Sequence, residues 1–564
     1  MLFALGNISP ILEALYPSCW NSTLAPPCSL TLVSSLTYVE VLGVIVGMLS
    51  FGLFADKLGR RWGSCTTALT MLLGALLVTA SYAGPDQLNG MFAMFAVSLF
   101  IFSYGVGGEY PLASASAAEA AEAAHASDST CRTVRGESVI FAFAMQGVGN
   151  VTNTLVILVI LLALGCTSSE CGAHAMVVAW RLQYGIGALF VLVLAAGRVL
   201  FLKESKVWLE SRERRRLLAS ADRAEELREH DALQTHKAKH HHRQSRLLVR
   251  HYWSRLVGTA GGWFLWDVVF YGNRLFQGSI IQVLVPGAPS VVKTLEYTLL
   301  NASVAMLGYY AAALCIDKPW MGRRKLQNIG FFMTFVLFLI CAALFDTLRI
   351  PTNIGWFQAL YYLSSFFGMF GANSTTFLLP SESYPTSVRT RAHGLSAACG
   401  KLGALTATLL FSLGNGGRPM TPDTIFYVCS ACCLLGLVLT VIFVPDVTEL
   451  DLKQLDVQWE LILKDDLASY HGEANNYKFL SWFEVTCQSA GCSCEICEKQ
   501  RPRSTVDDDD DDDAPPPPAP DPVVLKPADK PAESTQLLNG AGTGNNAHNV
   551  SIVTGAAETS MATV

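Results

Sequence analysis

Charged side chains are rare in the apolar parts of this sequence, so the few that occur there are the first candidates for chemistry. Glu109 is the only charged residue between Met91 and Ala118, and Asp267 and Lys401 lie in two further apolar stretches. A charge within a bilayer costs a few kcal/mol on insertion scales. Such a group is therefore expected to serve a proton, an ion or a buried counter-charge.

Asp267 belongs to a stripe of polar and aromatic side chains. Trp263, Asp267 and Tyr271 follow one another at intervals of four residues, which places them on one face of a helix. We expect this face to line a cavity, although core packing and interfacial aromatics would give part of the pattern. Lys401 requires an anion nearby, either a carboxylate or a substrate. The plainer alternative is a permanent Asp267–Lys401 ion pair that only holds two parts of the protein together.

The elements that carry these residues are predicted to be membrane-spanning helices. Of the 564 residues, 51% are hydrophobic and 15% are charged, which is less charge than a soluble protein of this size carries. About twelve apolar segments approach or exceed the roughly 20 residues that cross a bilayer. The segments are 2–14, 32–54, 63–83, 91–118, 138–164, 180–202, 254–284, 294–316, 326–346, 353–380, 392–413 and 424–444. The sequence therefore predicts an all-α integral membrane protein with 12 transmembrane helices.

Basic residues give the orientation of these helices, because loops rich in Lys and Arg alternate with loops that contain none. The first kind are 55–62, 203–252 and 317–325, and the second kind are 15–31, 84–90, 165–179 and 285–292. The positive-inside rule places the first kind, and both termini, in the cytoplasm. The first segment is short for a span. We therefore expect a first helix that is either supported by its neighbours or N-terminally truncated.

Two blocks of six spans flank a hydrophilic loop. We expect an N-terminal six-helix bundle at 1–202, a cytoplasmic central loop at 203–252 and a C-terminal six-helix bundle at 253–445. A cytoplasmic and mostly disordered tail is expected at 446–564, because it contains seven consecutive aspartates and a run of prolines. Such a tail could bind cytoplasmic regulators.

A short motif recurs after the second and the eighth spans: an acidic residue, a glycine and paired arginines. Its charged residues are Asp56, Arg60 and Arg61 in the first half, and Asp317, Arg323 and Arg324 in the second. Two positive-inside anchors would need neither the aspartates nor the matching spacing. The repeat instead favours two pseudo-symmetric halves with a site between them, and the motif is predicted to form an inner gate.

Cysteines, histidines and asparagines elsewhere in the sequence give weaker indications of binding sites. The cluster Cys487, Cys492, Cys494 and Cys497 lacks the spacing of a standard zinc finger, and the run at 240–242 is more simply a solvated linker. We predict no metal site and no cofactor. Disulfides are permitted among the cysteines on the predicted outer side, with open connectivity: Cys19, Cys28, Cys166 and Cys171. Asn21 is the sequon exposed to glycosylation, so a glycoprotein is expected.

Several motifs together resemble one family. The sequence from Gly107 to Leu112 resembles the Gly-Gly-Asp-Tyr-Pro-Leu signature of the fungal and plant phosphate:proton symporters, which belong to the major facilitator superfamily. Asp56–Arg61 resembles the loop motif of that superfamily. Segments similar to the family's fifth, seventh, tenth and eleventh spans are Met145–Gly147, Trp263–Tyr271, Gly371–Phe377 and His393–Lys401. The resemblance covers roughly residues 1–448 and implies the major facilitator fold.

The resemblance also implies roles for single residues. Phosphate contact is implied for Tyr110, Gln146, Trp263, Asp267, Tyr271, Asn373 and Lys401, and proton coupling for Glu109 and Asp267. This set is rich in hydrogen-bond donors, as an anion with many acceptor oxygens requires. A protonated Asp267 would donate a hydrogen bond, so proton and phosphate binding would assist each other. The implied function is proton-coupled import of inorganic phosphate by alternating access.

The sequence leaves two rival functions open. A transporter of a sugar, inositol or an organic anion is the nearest rival, and the two buried charges argue against a neutral sugar. A phosphate-sensing receptor that binds without net transport is a rival of another class. An enzyme is not predicted, because no nucleophile–base pair or nucleotide loop stands out, and nucleic acid binding has no support. The predicted location is the plasma membrane, with phosphate, protons and the bilayer as partners.

Overall fold

Helices make up all the regular structure in the part of the chain that the structure describes. This computed structural model describes residues 4–20, 28–58, 60–82, 87–125, 135–167, 171–202, 224–275, 277–284, 290–414 and 420–489. The first half contains α1 (Ala4–Leu15), α2 (Leu30–Leu58), α3 (Arg60–Thr79), α4 (Leu88–His125), α5 (Arg135–Ala163) and α6 (Ala173–Phe201), with a single turn at Pro17–Trp20.

The second half is built in the same way, with more interruptions. It contains α7 (Ala224–Leu275), α8 (Gln277–Leu284), α9 (Val291–Cys315), α10 (Gly322–Ala343), α11 (Ile354–Gly368), α12 (Ser374–Glu382), α13 (Thr386–Leu413) and α14 (Pro422–Phe443), with a single turn at Phe345–Leu348. A five-residue π-helix, Met369–Asn373, joins α11 to α12. Two further helices, α15 (Leu452–Leu463) and α16 (Trp482–Ser489), follow the last predicted span.

Nine of the described helices are long and apolar enough to cross a membrane. The other three predicted spans coincide with the short helix α1, with α7 and α8 together, and with α11, the π-helix and α12. Large apolar side chains remain exposed on the outer faces, as at Phe190 (69%) and Leu200 (71%) of α6. Lipid would cover such a surface in a membrane protein. The all-α membrane fold is confirmed, and the total of twelve spans stays a prediction.

The helix α7 changes character at Tyr252. The backbone there is not helical (φ −117°, ψ 18°), so a hydrophilic part before it joins an apolar part after it at a kink. Tyr252 is the last residue of the predicted central loop. Residues 203–223 of that loop, and the side chains of its histidine run, lie outside the described residues.

The two ends of the helical bundle carry different chemistry. Disulfides Cys19–Cys28 and Cys166–Cys171 lie at one end, called here the disulfide end. Each bond joins two cysteines of the same loop, which settles the connectivity that the sequence left open. The opposite end, called the arginine end, holds the ion pairs of Arg135 and Arg323. The helices therefore run alternately between these two ends.

Small residues allow the helices of the first half to approach closely. A Cβ atom added to Gly107 of α4 would collide with the carbonyl oxygen of Val44 in α2, and one on Gly47 would collide with that of Tyr104. Glycines at such crossings are typical of membrane helices, which associate mainly through close packing.

The beginning of the predicted tail is folded. Leu455, Trp459 and Ile462 of α15 are buried in one cluster with Tyr252 and Tyr384 at the arginine end. The apolar side chains of α15 recur at helical spacing, and a short helix can bury them only against a neighbour. The expectation of a mostly disordered tail therefore does not describe residues 446–489. Cys487 of the cysteine cluster lies in α16. The other three cysteines and the poly-aspartate run lie outside the described residues.

Candidate functional site

The buried lysine of the eleventh predicted span meets the polar stripe of the seventh. Lys401 Nζ lies 3.1 Å from Asp267 Oδ2 and donates to the Tyr271 hydroxyl at 3.0 Å. Both charged residues are almost fully buried, at 6% and 2% exposure. Two charges this deep need each other, because an unpaired one would bear the full cost of dehydration. This pair joins α7 to α13 within the second half.

Two aromatic residues complete the surroundings of Lys401. The ring of Tyr110, from α4 in the first half, has its centroid 5.9 Å from Lys401 Nζ. The indole of Trp263 packs over Gly400, where an added Cβ would lie 2.9 Å from the indole Nε1. A glycine beside the lysine therefore makes room for the indole. Four of the other six predicted phosphate-binding residues, counting Asp267 and Tyr271, therefore lie around the ammonium group of Lys401.

The remaining two predicted residues form a second polar group. Gln146 of α5 accepts a hydrogen bond from the Tyr309 hydroxyl at 2.8 Å, and that hydroxyl accepts one from Asn373 Nδ2 at 2.6 Å. Trp266 Nε1 donates to Asn373 Oδ1 at 2.6 Å. Because Gln146 belongs to the first half and the others to the second, this network connects the halves.

Sequence reasoning missed Tyr309 and Trp266. Trp266 precedes Asp267 and so points to another face of α7, and Tyr309 lies in an apolar span without a charged neighbour. The position of Asn373 follows from the π-helix, whose wider turn alters which side chains face inward. Single π-turns within α-helices often occur at functional sites.

A stacked pair of phenylalanines lies between this site and the arginine end. Phe143 of α5 and Phe377 of α12 stack with centroids 4.5 Å apart and ring planes 8° apart. Phe143 also contacts Tyr309, and Phe377 contacts Trp263. One ring comes from each half, so separating the halves would break this stack.

The described partners of Glu109 all belong to the first half. Its carboxylate forms a two-pronged ion pair with Arg198 of α6, at 2.6 Å and 2.7 Å, and accepts a hydrogen bond from Thr67. Arg198 also donates to the Ser64 carbonyl. Two parallel N–H···O bonds are the strongest arrangement between arginine and a carboxylate. The structure therefore shows a counter-charge for Glu109, and its proton-coupling role stays a prediction.

Ion pairs connect the two halves at the arginine end. Arg323 binds Asp317 at 2.6 Å and Glu382 at 2.9 Å, and Arg135 of the first half binds the other oxygen of Glu382 at 2.7 Å. Asp317 also accepts from the backbone N–H of Glu137 at 2.7 Å. That N–H lies in the first turn of α5, where the helix dipole favours a negative charge. Arg135 and Glu382 belong to this network although the sequence did not assign them to the gate.

The other predicted gate residues have different partners. Arg61 donates to the Val199 carbonyl of its own half, and Arg324 donates to the Leu480 carbonyl of the tail at 3.4 Å. The side chains of Asp56 and Arg60 lie outside the described residues. The second copy of the motif thus contributes Asp317 and Arg323 to an interface with the first half.

A polar site buried between two helical bundles, with ion pairs across one end, defines a multi-pass membrane transporter of the major facilitator class. The model of the family described as "Sugar (and other) transporter" matches residues 3–459. The chain belongs to this family.

Relatives and solved structures agree with this assignment. Inorganic phosphate transporter 1-11 of Oryza sativa subsp. japonica is 30% identical over 72% of this chain and 75% of its own. Low affinity inorganic phosphate transporter 4 of Lotus japonicus is 32% identical over 72% and 78%. Glycerophosphoinositol permease 1 of Candida albicans is 29% identical over 77% and 75%. The fold is similar to that of the proton:xylose symporter XylE, with a TM-score of 0.58 and 19% identity over 81% of this chain and 98% of that one.

Proposed function

We propose that this transporter imports inorganic phosphate together with protons, by alternating access. The observation that carries the proposal is the buried Lys401, held by Asp267 and Tyr271 in the middle of the membrane domain. A sugar site has no need of a buried cation. The plant relatives named as inorganic phosphate transporters support an anionic substrate.

The groups near Lys401 suit phosphate. An ammonium, a phenol at Tyr271, a second phenol at Tyr110 and the indole of Trp263 are all donors, and phosphate presents several acceptor oxygens. The amides of Gln146 and Asn373 stand at the interface with the first half. We infer that phosphate binds between Lys401 and these amides when the halves open.

Asp267 links phosphate binding to protons. As a carboxylate it neutralises Lys401, and it would repel an incoming phosphate. Once protonated, it releases the ammonium for phosphate and can donate a hydrogen bond itself. Each ligand thus favours the binding of the other, and by linkage the coupling is reciprocal. We infer that Glu109 also accepts a proton, and that it does so once it has separated from Arg198.

The arrangement of the gates suits alternating access. The Phe143–Phe377 stack and the Arg135–Glu382 pair both connect the two halves, so we infer that together they shut the route to the arginine end. We infer that the arginine end faces the cytoplasm, because its loops are basic, and that the protein lies in the plasma membrane. Phosphate enters from the disulfide end, and the ion pairs separate to release it.

Uptake into proteoliposomes tests the proposal. An acidic exterior should drive accumulation of labelled phosphate, and a protonophore should abolish it. Lys401→Ala and Asp267→Asn should each abolish uptake without loss of folded protein, whereas Lys464→Ala, an exposed lysine of the tail, should leave it unchanged. Phosphate binding without accumulation would indicate a receptor, and no binding at all would overturn the proposal.

A phosphate ester is the second candidate substrate, because one relative is named as a glycerophosphoinositol permease. The same phosphate-binding donors would hold a phosphodiester, whose remaining part needs more space. Competition separates the two: arsenate should displace labelled phosphate from a site for the inorganic ion, and glycerophosphoinositol should displace it only from a site for the ester.

A further inference from the structure

A second polar cavity lies inside the C-terminal bundle, separate from Lys401. It measures about 40 Å³ and is lined by residues of α7, α8, α9, α10, α11 and the first residue of the π-helix. Its polar lining includes Asn273, Arg274, Gln277, Asn301 and Thr334. We call this cavity the Arg274 chamber. Arg274 follows Asp267 by seven residues, so the chamber lies about 10 Å along α7 toward the disulfide end.

Four polar atoms of the chamber have no hydrogen-bond partner among the described residues: Asn273 Oδ1, Gln277 Nε2, Asn301 Oδ1 and Thr334 Oγ1. Gln277, Asn301 and Thr334 are at most 5% exposed. Buried polar atoms are nearly always satisfied, since each unsatisfied one costs about 1–3 kcal/mol. Four of them around one cavity indicate that a hydrogen-bonding species, either water or a polar ligand, occupies it.

The partners that these side chains do have fix which atoms are donors and which are acceptors. Gln277 Oε1 accepts from Arg274 Nη1 at 3.0 Å, so its free atom is the amide N–H. Asn273 Nδ2 donates to the Val269 carbonyl at 2.9 Å, so its free atom is the carbonyl oxygen. The chamber therefore offers a guanidinium and an amide donor on one side and an acceptor on another. None of the described residues that line it is an Asp or a Glu.

We propose that the Arg274 chamber is a second oxyanion site, which takes inorganic phosphate carrying at least one P–OH group. The unprotonated oxygens accept from Arg274 and Gln277, and the P–OH donates to Asn273. Sulfate has no O–H to donate at neutral pH and would leave Asn273 unsatisfied. The cavity has room for about three water molecules, so it suits the inorganic ion better than a phosphate ester with a large substituent. The choice of phosphate rests on the proposed function.

Trp266 separates the chamber from the first site. Its ring lines the chamber, and its indole N–H binds Asn373 in the network that connects the halves. A phosphate in the chamber would thus contact the ring of Trp266, whose N–H binds Asn373 of the proposed transport site. Occupancy of the chamber should therefore change the affinity of the site at Lys401.

Equilibrium binding of labelled phosphate to the purified full-length protein tests this inference. The wild type should bind two phosphates per chain. Asn301→Asp places a carboxylate in the same cavity as Arg274, where it would repel an oxyanion, so the affinity of the chamber for phosphate should fall by more than about tenfold. Thr334→Val removes the hydroxyl with little change of shape and should also lower the affinity of the chamber for phosphate. Lys401→Ala should remove the other phosphate only.

A matched control is Thr298→Val on α9, because that buried hydroxyl donates to the Thr294 carbonyl within its own helix and does not line the chamber. Sulfate should compete poorly for the chamber. One phosphate per chain, lost in Lys401→Ala and unchanged in Asn301→Asp, would show that the chamber holds only water and overturn the inference. No phosphate bound to any variant would instead contradict the proposed function.

Discussion

The hydroxyl of Tyr309 makes two contacts on which the network between the halves depends. It donates to Gln146 of the first half and accepts from Asn373 of the second. Tyr309→Phe should leave both amides with poorer partners, lower the free energy of unfolding by about 1–3 kcal/mol, and raise the KM for phosphate. Thermal unfolding in detergent and uptake kinetics measure the two effects.

A second tyrosine of the same half provides the control. The Tyr362 hydroxyl is buried and has no hydrogen-bond partner in the part of the chain that is described. Tyr362→Phe should therefore be neutral or slightly stabilising. Equal losses in the two variants would show that the network through Tyr309 has no special role.

The ion pair between Glu109 and Arg198 should stabilise the first half of the protein. Glu109→Gln leaves the guanidinium with the Ser64 carbonyl and Thr67 as its described partners. Since hydrogen bonds to charged groups contribute about 1.5–3 kcal/mol each, the melting temperature should fall clearly. Glu296→Gln makes the same chemical change at an exposed acid of α9 and should not lower it.

Transport by the same variant separates structure from coupling. If Glu109 carries a coupling proton, stable Glu109→Gln protein should still exchange phosphate across the membrane without a gradient but fail to accumulate it. If exchange and accumulation fall together in proportion to folded protein, the coupling role is refuted and the ion pair is structural.

Among the elements, α7 shows what the sequence could and could not predict. The spacing of Trp263, Asp267 and Tyr271 depends only on helix periodicity, so their common face could be predicted from the sequence. The partner of Lys401 could be limited to an anion for the same energetic reason. The roles of Tyr309 and Trp266 depend on the π-helix and on how helices distant in sequence are rotated. Neither leaves a periodic signal.

The folded part of the tail was missed for a related reason. The residues after 490 are so acidic and proline-rich that they dominate the composition of the whole tail, while α15 contributes only a few apolar side chains. Those side chains fit a surface formed by α7 and α13, which cannot be seen in the sequence of the tail. Composition therefore predicts order poorly for a short helix that packs against another element.

This tail layer should stabilise the C-terminal bundle. Arg255 is 3% exposed and pairs with Glu484 of α16 at 2.7 Å, and Asp456 accepts from the backbone N–H of Thr386 at the start of α13. A chain ending at Ser489 keeps these contacts and should melt like the full-length protein. A chain ending at Leu450 leaves Arg255 without Glu484 and exposes Leu379 and Tyr384, so it should melt at a lower temperature.

The single variant Glu484→Gln refines the test of the tail layer. Removing one partner of a buried ion pair typically costs about 3–5 kcal/mol, so this change alone should account for much of the loss on truncation. Fluorescence-detected size exclusion after heating gives the ranking. If the full-length protein and the chain that ends at Leu450 melt at the same temperature, the tail layer adds nothing to stability.

For the whole molecule, the closed arginine end depends on one carboxylate shared by two arginines. Glu382 lies two residues beyond the predicted tenth span. Burial alone would raise its pKa, but Arg323 and Arg135 hold the pKa of Glu382 below its ordinary value of 4.5. The closed state thus favours the charged form. Closure should be fully supported above pH 4.5 and lost as the pH falls through the lower value in the closed state.

Distances between the halves measure this closure. Spin labels carried by unnatural amino acids at positions 62 and 320, which are exposed at the arginine end, should report one short distance from neutral pH down to about 4.5. A longer distance should appear as the pH falls further, through the lowered pKa of Glu382 in the closed state. Glu382→Gln removes the shared charge, so it should give the longer distance even at neutral pH. Opening of the wild type well above pH 4.5 would show that another titrating group controls the gate. A short distance in Glu382→Gln would mean that the phenylalanine stack and the Asp317 contacts suffice to hold the halves together.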